Sequence, residues 1–384
     1  MKIGFFTNTY LPISYGATVS VEYFRKGLEA LGHQVFVFAP SFPDFEDENE
    51  RVFRYPSFPW KYKIKYPLGI SYWPAMNGKV RKLDLDIVHC HQPFSIGKDG
   101  LRQAKRNGLP VVFTHHCRYE EYIHYIPPVL PKNFLKRYVK KRATIFANKC
   151  DQIIAPSETV KRMIEKRGVK KPIEVLPTGI DWEKFQKGEG RKIRQKFFVK
   201  DDEILLINVG RMEEEKNIFF LFDAVNDLIE KRKNVKMLFV GEGSLKKEFQ
   251  EKVNRTGLRE KIFFAGLISQ NEIADYYSAG DIFLHTSKSE TQGMTINEAM
   301  AGGLPIVAIE ASGIADVMDD GKNGLMTKDS SDDFRQAVLK LIEDMALRDK
   351  IGQGAREKAK EIDYHLQTKK VEKIYFGLAN NFLE

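Results

Sequence analysis

The chain is 384 residues long, more than one ordinary hydrophobic core supports, so two domains are expected. With 42% hydrophobic residues it is too apolar for a disordered protein, yet no stretch reaches the ~20 apolar residues of a membrane span. The net charge of +9 is uneven: residues 1–180 hold roughly 29 Lys and Arg against 16 Asp and Glu, about +13, which leaves about −4 for the rest. A basic first half attracts an anion, be it a phosphorylated substrate, an acidic lipid surface or nucleic acid. Cys90, Cys117 and Cys150 have neither a pairing nor a metal-ligand spacing, which fits a reducing cytoplasm.

The opening run, Lys2 to Thr7, is too short for a signal peptide and reads as a strand. A loop through Pro12 and Gly16 leads to a helix from about Ser20 to Leu31, stopped by Gly32, and Gln34 to Ala39 is the next strand. Gly16 either lets a phosphate approach the backbone or simply makes the turn. Residues 41–78 read as irregular, with Arg51, Arg54, Lys61, Lys63 and Lys65 interleaved with Tyr55, Trp60, Tyr62, Tyr66 and Trp73. Aromatics beside cations suit a lipid–water interface or single-stranded nucleic acid, and a surface loop with its rings tucked in uses the same letters. Asp86 to His89 and Val111 to Thr114 are strands whose ends carry His89, His91, His115, His116 and, further on, His124. Such positions face the ligand crevice of a doubly wound sheet or hydrogen-bond its loops. Adjacent positions on an extended chain point to opposite faces, so His115-His116-Cys117 is no zinc site. Lys132 to Lys149 carries Lys132, Lys136, Arg137, Lys140, Lys141, Arg142 and Lys149, no acid, and a partial apolar stripe. A basic amphipathic helix of this kind lies on anionic membranes, or packs on the sheet with a solvated basic face.

After Pro177 to Asp181 the pattern restarts, marking a domain boundary near 178–182. Ile204 to Val209 is the next strand, followed by a turn carrying Arg211 and Lys216, cations that suit a diphosphate. The acids Glu213 to Glu215 between them would equally explain the letters as surface ion pairs. Met237 to Val240 precedes a Gly241–Gly243 turn that lacks the third glycine of a dinucleotide fingerprint. Ile262 to Phe264 precedes Gly266. Asp281 to Val307 then reads as strand, polar loop, helix from Met294 to Ala301, and strand, with Gly302-Gly303 and Pro305 stopping the helix. The amides of Met294, Thr295 and Ile296 lack intrahelical partners and would receive an anion. Glu290 and Glu298 bracket that site and could accept hydrogen bonds from sugar hydroxyls on either side of a phosphate bridge, the pattern of a nucleotide sugar. Alternatively Glu298 is an exposed helix residue and Glu290 favours the dipole. Ser312-Gly313 would begin a further helix, and two helices, Asp332–Glu343 and His365–Phe382, close the chain.

With Arg211, Lys216, Glu290 and Glu298 in this order, the chain resembles the retaining glycosyltransferases of the GT-B fold. The match runs through GLEALGHQV, VLPTGID, NVGRMEEEKN, VGEG and ETQGMTINE followed by AMAGGLPIVA. The resemblance implies an α/β architecture of two Rossmann-like domains facing across a cleft. Residues 1–178 with about 363–384 would bind the acceptor, residues 179–362 the nucleotide sugar, and the last helix would cross back to the first domain. It implies that Arg211 and Lys216 bind the diphosphate, Glu298 the ribose hydroxyls, and Glu290 with Gly293, Met294 and Thr295 the transferred sugar. Gly16, Gly241 and Gly266 complete the donor site, and His116 lies near the reacting carbon. ETQG, FTHHCRYEEYIHYIP and HQPFSIG are more narrowly similar to glucosyltransferases that act on diacylglycerol, peripheral enzymes of the cytoplasmic membrane face. There Trp60, Lys61, Lys63, Lys136, Arg137, Lys140 and Lys141 would meet lipid. His115, Cys117 and HCHQPF depart from that subgroup on the acceptor side.

These readings predict glucosyl transfer from a UDP-sugar by front-face displacement, without metal or other cofactor, to a lipid or small hydroxyl acceptor. A soluble glycosyltransferase and a sugar-nucleotide epimerase on the same fold are the rivals. A nucleic-acid-binding protein is disfavoured by the acidic second half and the lack of any binding motif.

Overall fold

The computed structural model describes residues 1–13, 16–60, 66–127, 130–288, 290–311 and 313–383, the side chains of 381–383 excepted. The chain divides into two compact units, Met1–Gly179 with the last helix Tyr364–Leu383, and Ile180–Asp363. In the first, the strands in chain order are β1 (Lys2–Phe6), β2 (Gln34–Pro40), β3 (Val52–Tyr55), a hairpin of β4 (Ser57–Trp60) and β5 (Tyr66–Gly69), then β6 (Ile87–Cys90), β7 (Val111–Thr114), β8 (Gln152–Ala155) and β9 (Ile173–Val175). Apart from the hairpin they form one parallel sheet ordered β3-β2-β1-β6-β7-β8-β9. Its strands are near-continuous apolar runs because both faces are covered. Phe6, Phe38, Val88, Phe113 and Ile153 fill one face. Ile3, Phe5, Val37, Ile87 and Val112 fill the other, together with Val371 and Tyr375 of the last helix.

The second unit repeats the plan with β10 (Ile204–Val209), β11 (Val235–Val240), β12 (Ile262–Gly266), β13 (Ile282–His285), β14 (Ile306–Ile309) and β15 (Gly324–Thr327), all parallel and ordered β12-β11-β10-β13-β14-β15. Alternate residues again serve opposite faces: Leu205, Ile207 and Phe283 on one, Leu206, Ile282 and Leu284 on the other. In each sheet the strand order reverses beside the first strand, between β1 and β6 and between β10 and β13. Loops leaving adjacent strands there diverge and open a crevice at the carboxyl ends.

Several expectations need correction. Residues 41–78 are not irregular: they hold β3, the β4–β5 hairpin and the start of a helix, Pro74–Leu83. Proline misled the reading twice. Pro59 and Pro67 are paired in a two-stranded ladder, where an outward position needs no N–H, and Pro74 stands in the first turn of its helix. The first helix begins at Gly16, one turn before Ser20. Ser312 lies outside the described residues, and Gly313 to Val317 form turns instead of a helix. A helix at Met345–Glu361 went unread because only Asp344, with no Gly or Pro, separates it from Ser331–Glu343; the Asp344 carboxylate caps it by accepting from the Leu347 amide at 2.9 Å.

Candidate functional site

At the reversal point of the second unit, β10 ends at Val209 and the chain passes Gly210 and Arg211 into a 3-10 turn, Glu214–Lys216. The neighbouring strand β13 ends at His285, and the next two side chains fasten the loops together. Thr286 Oγ1 donates to the carbonyls of Lys216 at 3.1 Å and Asn217 at 3.2 Å, and Ser287 Oγ donates to that of Glu215 at 3.2 Å. Held this way, Lys216 Nζ donates to Glu290 Oε1 at 2.6 Å, and His285 Nε2 lies 3.6 Å from the same oxygen. Burial alone would raise the Glu290 pKa. The Lys216 ammonium, followed by His285, overrides that and holds the carboxyl well below its ordinary value. Glu290 is therefore a fixed negative charge and Lys216 its partner. Arg211 pairs with Glu215 one turn along, and Glu213 accepts from the Ser244 amide at 2.9 Å and hydroxyl at 2.6 Å. The acids of this turn thus hold Arg211 and the next loop, while Lys216 reaches across to the β13 exit.

Gly293 opens the helix Met294–Ala301 in a left-handed conformation, φ 76° and ψ 62°, which side chains other than glycine seldom adopt. Its carbonyl accepts from Ile296 at 2.9 Å and from Asn297 at 3.2 Å. The expectation of three free amides is corrected: Ile296 is engaged, and only the amides of Met294 and Thr295 find no acceptor among the described residues. Gly313, at φ 86°, packs behind the loop, where an added Cβ would lie 2.5 Å from the Glu290 carbonyl oxygen. Glu298 is no exposed helix residue. It is 6% exposed and accepts from the Tyr277 hydroxyl at 2.8 Å. Burial lifts its pKa to about 7, against the opposing influence of Tyr277 and Lys184. Gly241 follows β11 and Gly266 ends β12. The Gly241 backbone presses so close to Gly210 that a Cβ would fall 1.9 Å from its carbonyl oxygen, which makes it a packing glycine of the rim. Both polar atoms of the fully buried Asn297 amide, and Asn217 Nδ2, lack protein partners among the described residues.

In the first unit, His91 and His116 stand just past the carboxyl ends of the neighbouring strands β6 and β7. His91 Nδ1 is 3.0 Å from His116 Nε2. Burial, then the neighbouring His115, depresses the His116 pKa to about 3, so its ring is neutral. His115 turns to the opposite face, between Phe113 and Tyr119. His89 does not face a crevice. It lies inside β6, fully buried, bonded to the Tyr375 hydroxyl at 2.5 Å and to Thr114 Oγ1 at 2.7 Å. Gln92 Oε1 accepts from the Asn8 amide at 2.6 Å and the Thr7 hydroxyl at 3.1 Å, fixing the loop after β1. Gly16 is the exposed first residue of its helix.

The basic helix is Lys132–Ala147. It buries Ala143, Phe146 and Ala147 and leaves Phe134 56% and Tyr138 52% exposed. Arg137 and Lys141 are exposed, whereas Lys136 and Lys140 are half-buried beside Glu121 at 3.8 Å and Glu120 at 4.0 Å. Between this helix and Ser95–Arg106 lies a cavity of about 420 Å³ walled by Lys98, Arg102, Lys105, Arg106, Arg142 and Lys149. Trp60 donates its indole N–H to the Tyr125 carbonyl at 3.0 Å, so that edge of the ring is used internally. Lys61 and Lys63 lie outside the described residues. Among the described residues no group of His, Cys, Asp and Glu is arranged to hold a metal, and no helix is long and apolar enough to cross a membrane.

Sequence reading missed His285, Thr286, Ser287 and Tyr277. The first three follow directly on the apolar strand, and polar residues just past a strand end were the available signal. Tyr277 sits in the preceding helix, Ile273–Ala279, with nothing in the letters to mark it.

Two doubly wound units with this second crevice define the GT-B class. The model for glycosyl transferases group 1 matches residues 189–358, and that for glycosyltransferase family 4 matches residues 15–184. The alpha-monoglucosyldiacylglycerol synthase of Streptococcus pneumoniae is 31% identical over 100% of this chain and 87% of its own length. The enzyme of the same name from Acholeplasma laidlawii is 28% identical over 98% and 97%. Among solved structures, Anabaena HepE in complex with UDP-glucose superposes with a TM-score of 0.79 at 20% identity, covering 98% of this chain and all of that one. The chain belongs to the group 1 glycosyltransferases and is a hexosyltransferase of the GT-B fold.

Proposed function

We propose that the enzyme transfers glucose from UDP-glucose, with retained anomeric configuration, to a membrane lipid acceptor such as 1,2-diacylglycerol. The observation that carries the donor half is the ammonium of Lys216, fixed beside Glu290 at the mouth of the helix that starts at Met294. Lys216 has three N–H donors, and Glu290 takes one of them, so the cation can hold its carboxylate and a phosphate oxygen together. Arg211 and the amides of Met294 and Thr295 add donors for the diphosphate. Glu298 receives the ribose hydroxyls, Glu290 hydroxyls of the transferred sugar, and Gly16 approaches the phosphate. His116 contacts the sugar near the reacting carbon. Glu290, the carboxylate at the transferred sugar, is taken up as the partner of Lys216, so on this reading the acceptor enters on the face the diphosphate leaves. The departing β-phosphate takes the acceptor's proton while Arg211 and Lys216 stabilise the charge that develops. On this reading the protein's own cations replace a metal.

Support for a lipid acceptor comes from the names of the two relatives and from the face of Lys132–Ala147. If that helix served only as a packed element with a solvated basic side, its large rings would lie inside. Instead Phe134 and Tyr138 are exposed among Arg137 and Lys141, and Tyr122, Ile126 and Leu130 of the preceding segment are exposed too. Rings and cations on one surface suit the headgroup region of an anionic membrane, and on this reading the enzyme works at the cytoplasmic face. The test is incubation of UDP-glucose with diacylglycerol in anionic vesicles beside a panel of soluble acceptors. An organic-extractable α-glucoside is expected. Product confined to soluble acceptors, an inverted linkage, or an epimerised nucleotide sugar would refute the proposal.

A further inference from the structure

His91 has no part in the proposed reaction, yet it is fully buried beside His116. Its ring is fully buried, stacked on His89 at 4.2 Å between centroids and edge-on to Phe5 at 4.7 Å. Its Nδ1 meets His116 Nε2 at 3.0 Å, and its Nε2 has no partner among the described residues. Two neutral imidazoles in contact share a single proton, so one must donate and the other accept. If His116 donated from Nε2, His91 would carry its proton on Nε2 and bury an N–H with nothing to receive it. If His91 donates from Nδ1, its Nε2 is left as a bare lone pair. Orphaned buried N–H groups are the rarer and costlier of the two. The second arrangement therefore prevails.

We infer that His91 is a positioning residue that, by donating from Nδ1, locks His116 in the tautomer with its proton on Nδ1. His116 thereby presents an N–H, not a lone pair, on the side of the ring away from His91. For a sugar contact this means that His116 donates to an oxygen of the transferred hexose. This consequence rests on the function proposed above, but the tautomer does not.

The test is two-bond ¹⁵N–¹H correlation of the whole protein labelled at its eight histidines, with His116 assigned by loss of its signals in His116→Gln. In the unsubstituted protein His116 is expected to carry its proton on Nδ1. His91→Asn keeps a donor where Nδ1 was and should preserve that tautomer, and His91→Asp, whose carboxylate can only accept there, should shift the population toward Nε2–H. In parallel, kcat for the hexosyl transfer should fall about tenfold in His91→Asp, the worth of about one well-placed hydrogen bond. It should recover in His91→Asn, with KM for UDP-glucose within about twofold throughout. A wild-type His116 protonated on Nε2, or an unchanged tautomer in His91→Asp, overturns the inference. If the tautomers behave as stated and kcat does not move, the inference stands and the placing of His116 at the sugar falls.

Discussion

Glu298 should make donor binding depend on pH in a way that can be worked from its surroundings. Burial raises its pKa from the ordinary 4.5 to about 7. Ionising it inside the protein thus costs roughly 3 kcal/mol more than in water. The folded state binds this proton more tightly than the unfolded state, so stability present below pH 4.5 is lost as pH rises toward 7. Glu298→Gln should accordingly unfold at higher temperature than the parent at pH 8, with the difference shrinking toward pH 5. Ribose hydroxyls donate to the carboxylate, so the ionised form is the one that binds. At pH 6 about one molecule in ten is ionised and at pH 8 about nine in ten, so UDP-glucose should bind about tenfold more weakly at pH 6 than at pH 8. Near pH 7 binding should release about half a proton. Isothermal titration with UDP-glucose and no acceptor, in two buffers of different ionisation heat, measures both quantities. Glu298→Gln should bind more weakly and lose the pH dependence. Identical proton release in parent and variant would refute the assignment of Glu298 to the donor.

Gly313→Ala adds a Cβ at φ 86° against the Glu290 carbonyl. It should lower stability by about 1–2 kcal/mol and weaken UDP-glucose binding, and a calorimetric scan with a binding titration checks both. On the basic helix, Phe134→Ser with Tyr138→Ser should reduce co-sedimentation with anionic vesicles while leaving turnover of detergent-dispersed diacylglycerol in place. Arg137→Gln with Lys141→Gln should weaken vesicle binding by about 1 kcal/mol per charge at low salt. Lys136→Gln with Lys140→Gln should do less, because Glu121 and Glu120 already offset those charges.

The doubly wound units were legible because their strands are unbroken apolar runs and their turns are marked by glycine, as at Gly32 and Gly302. The helix from Met294 to Ala301 has the bounds its letters suggest. What stayed hidden was set by contacts distant in sequence. Nothing near Lys216 shows that Thr286 and Ser287, some seventy positions on, hold its carbonyl and those beside it. Nothing near Glu298 shows that Tyr277 will bury it. The Pro-rich segment after residue 41 misled for the opposite reason, because proline marks irregular backbone in general but is compatible with edge strands and first helical turns. His89 looked like a site residue by its place near a strand end. Its burial was decided by the last helix, which brings Tyr375 against it from 286 positions away.

The central claim is that the Lys216 ammonium holds a diphosphate, and a comparison of UDP with uridine tests it most directly. Dissociation constants should be measured for both ligands in Glu290→Gln and in Glu290→Gln with Lys216→Met, so that no orphaned carboxylate repels the phosphates. Removing the ammonium should weaken UDP by about 10- to 100-fold, the worth of one charge-assisted hydrogen bond, and leave uridine within about twofold. Equal loss for both ligands, or none for UDP, would contradict the account.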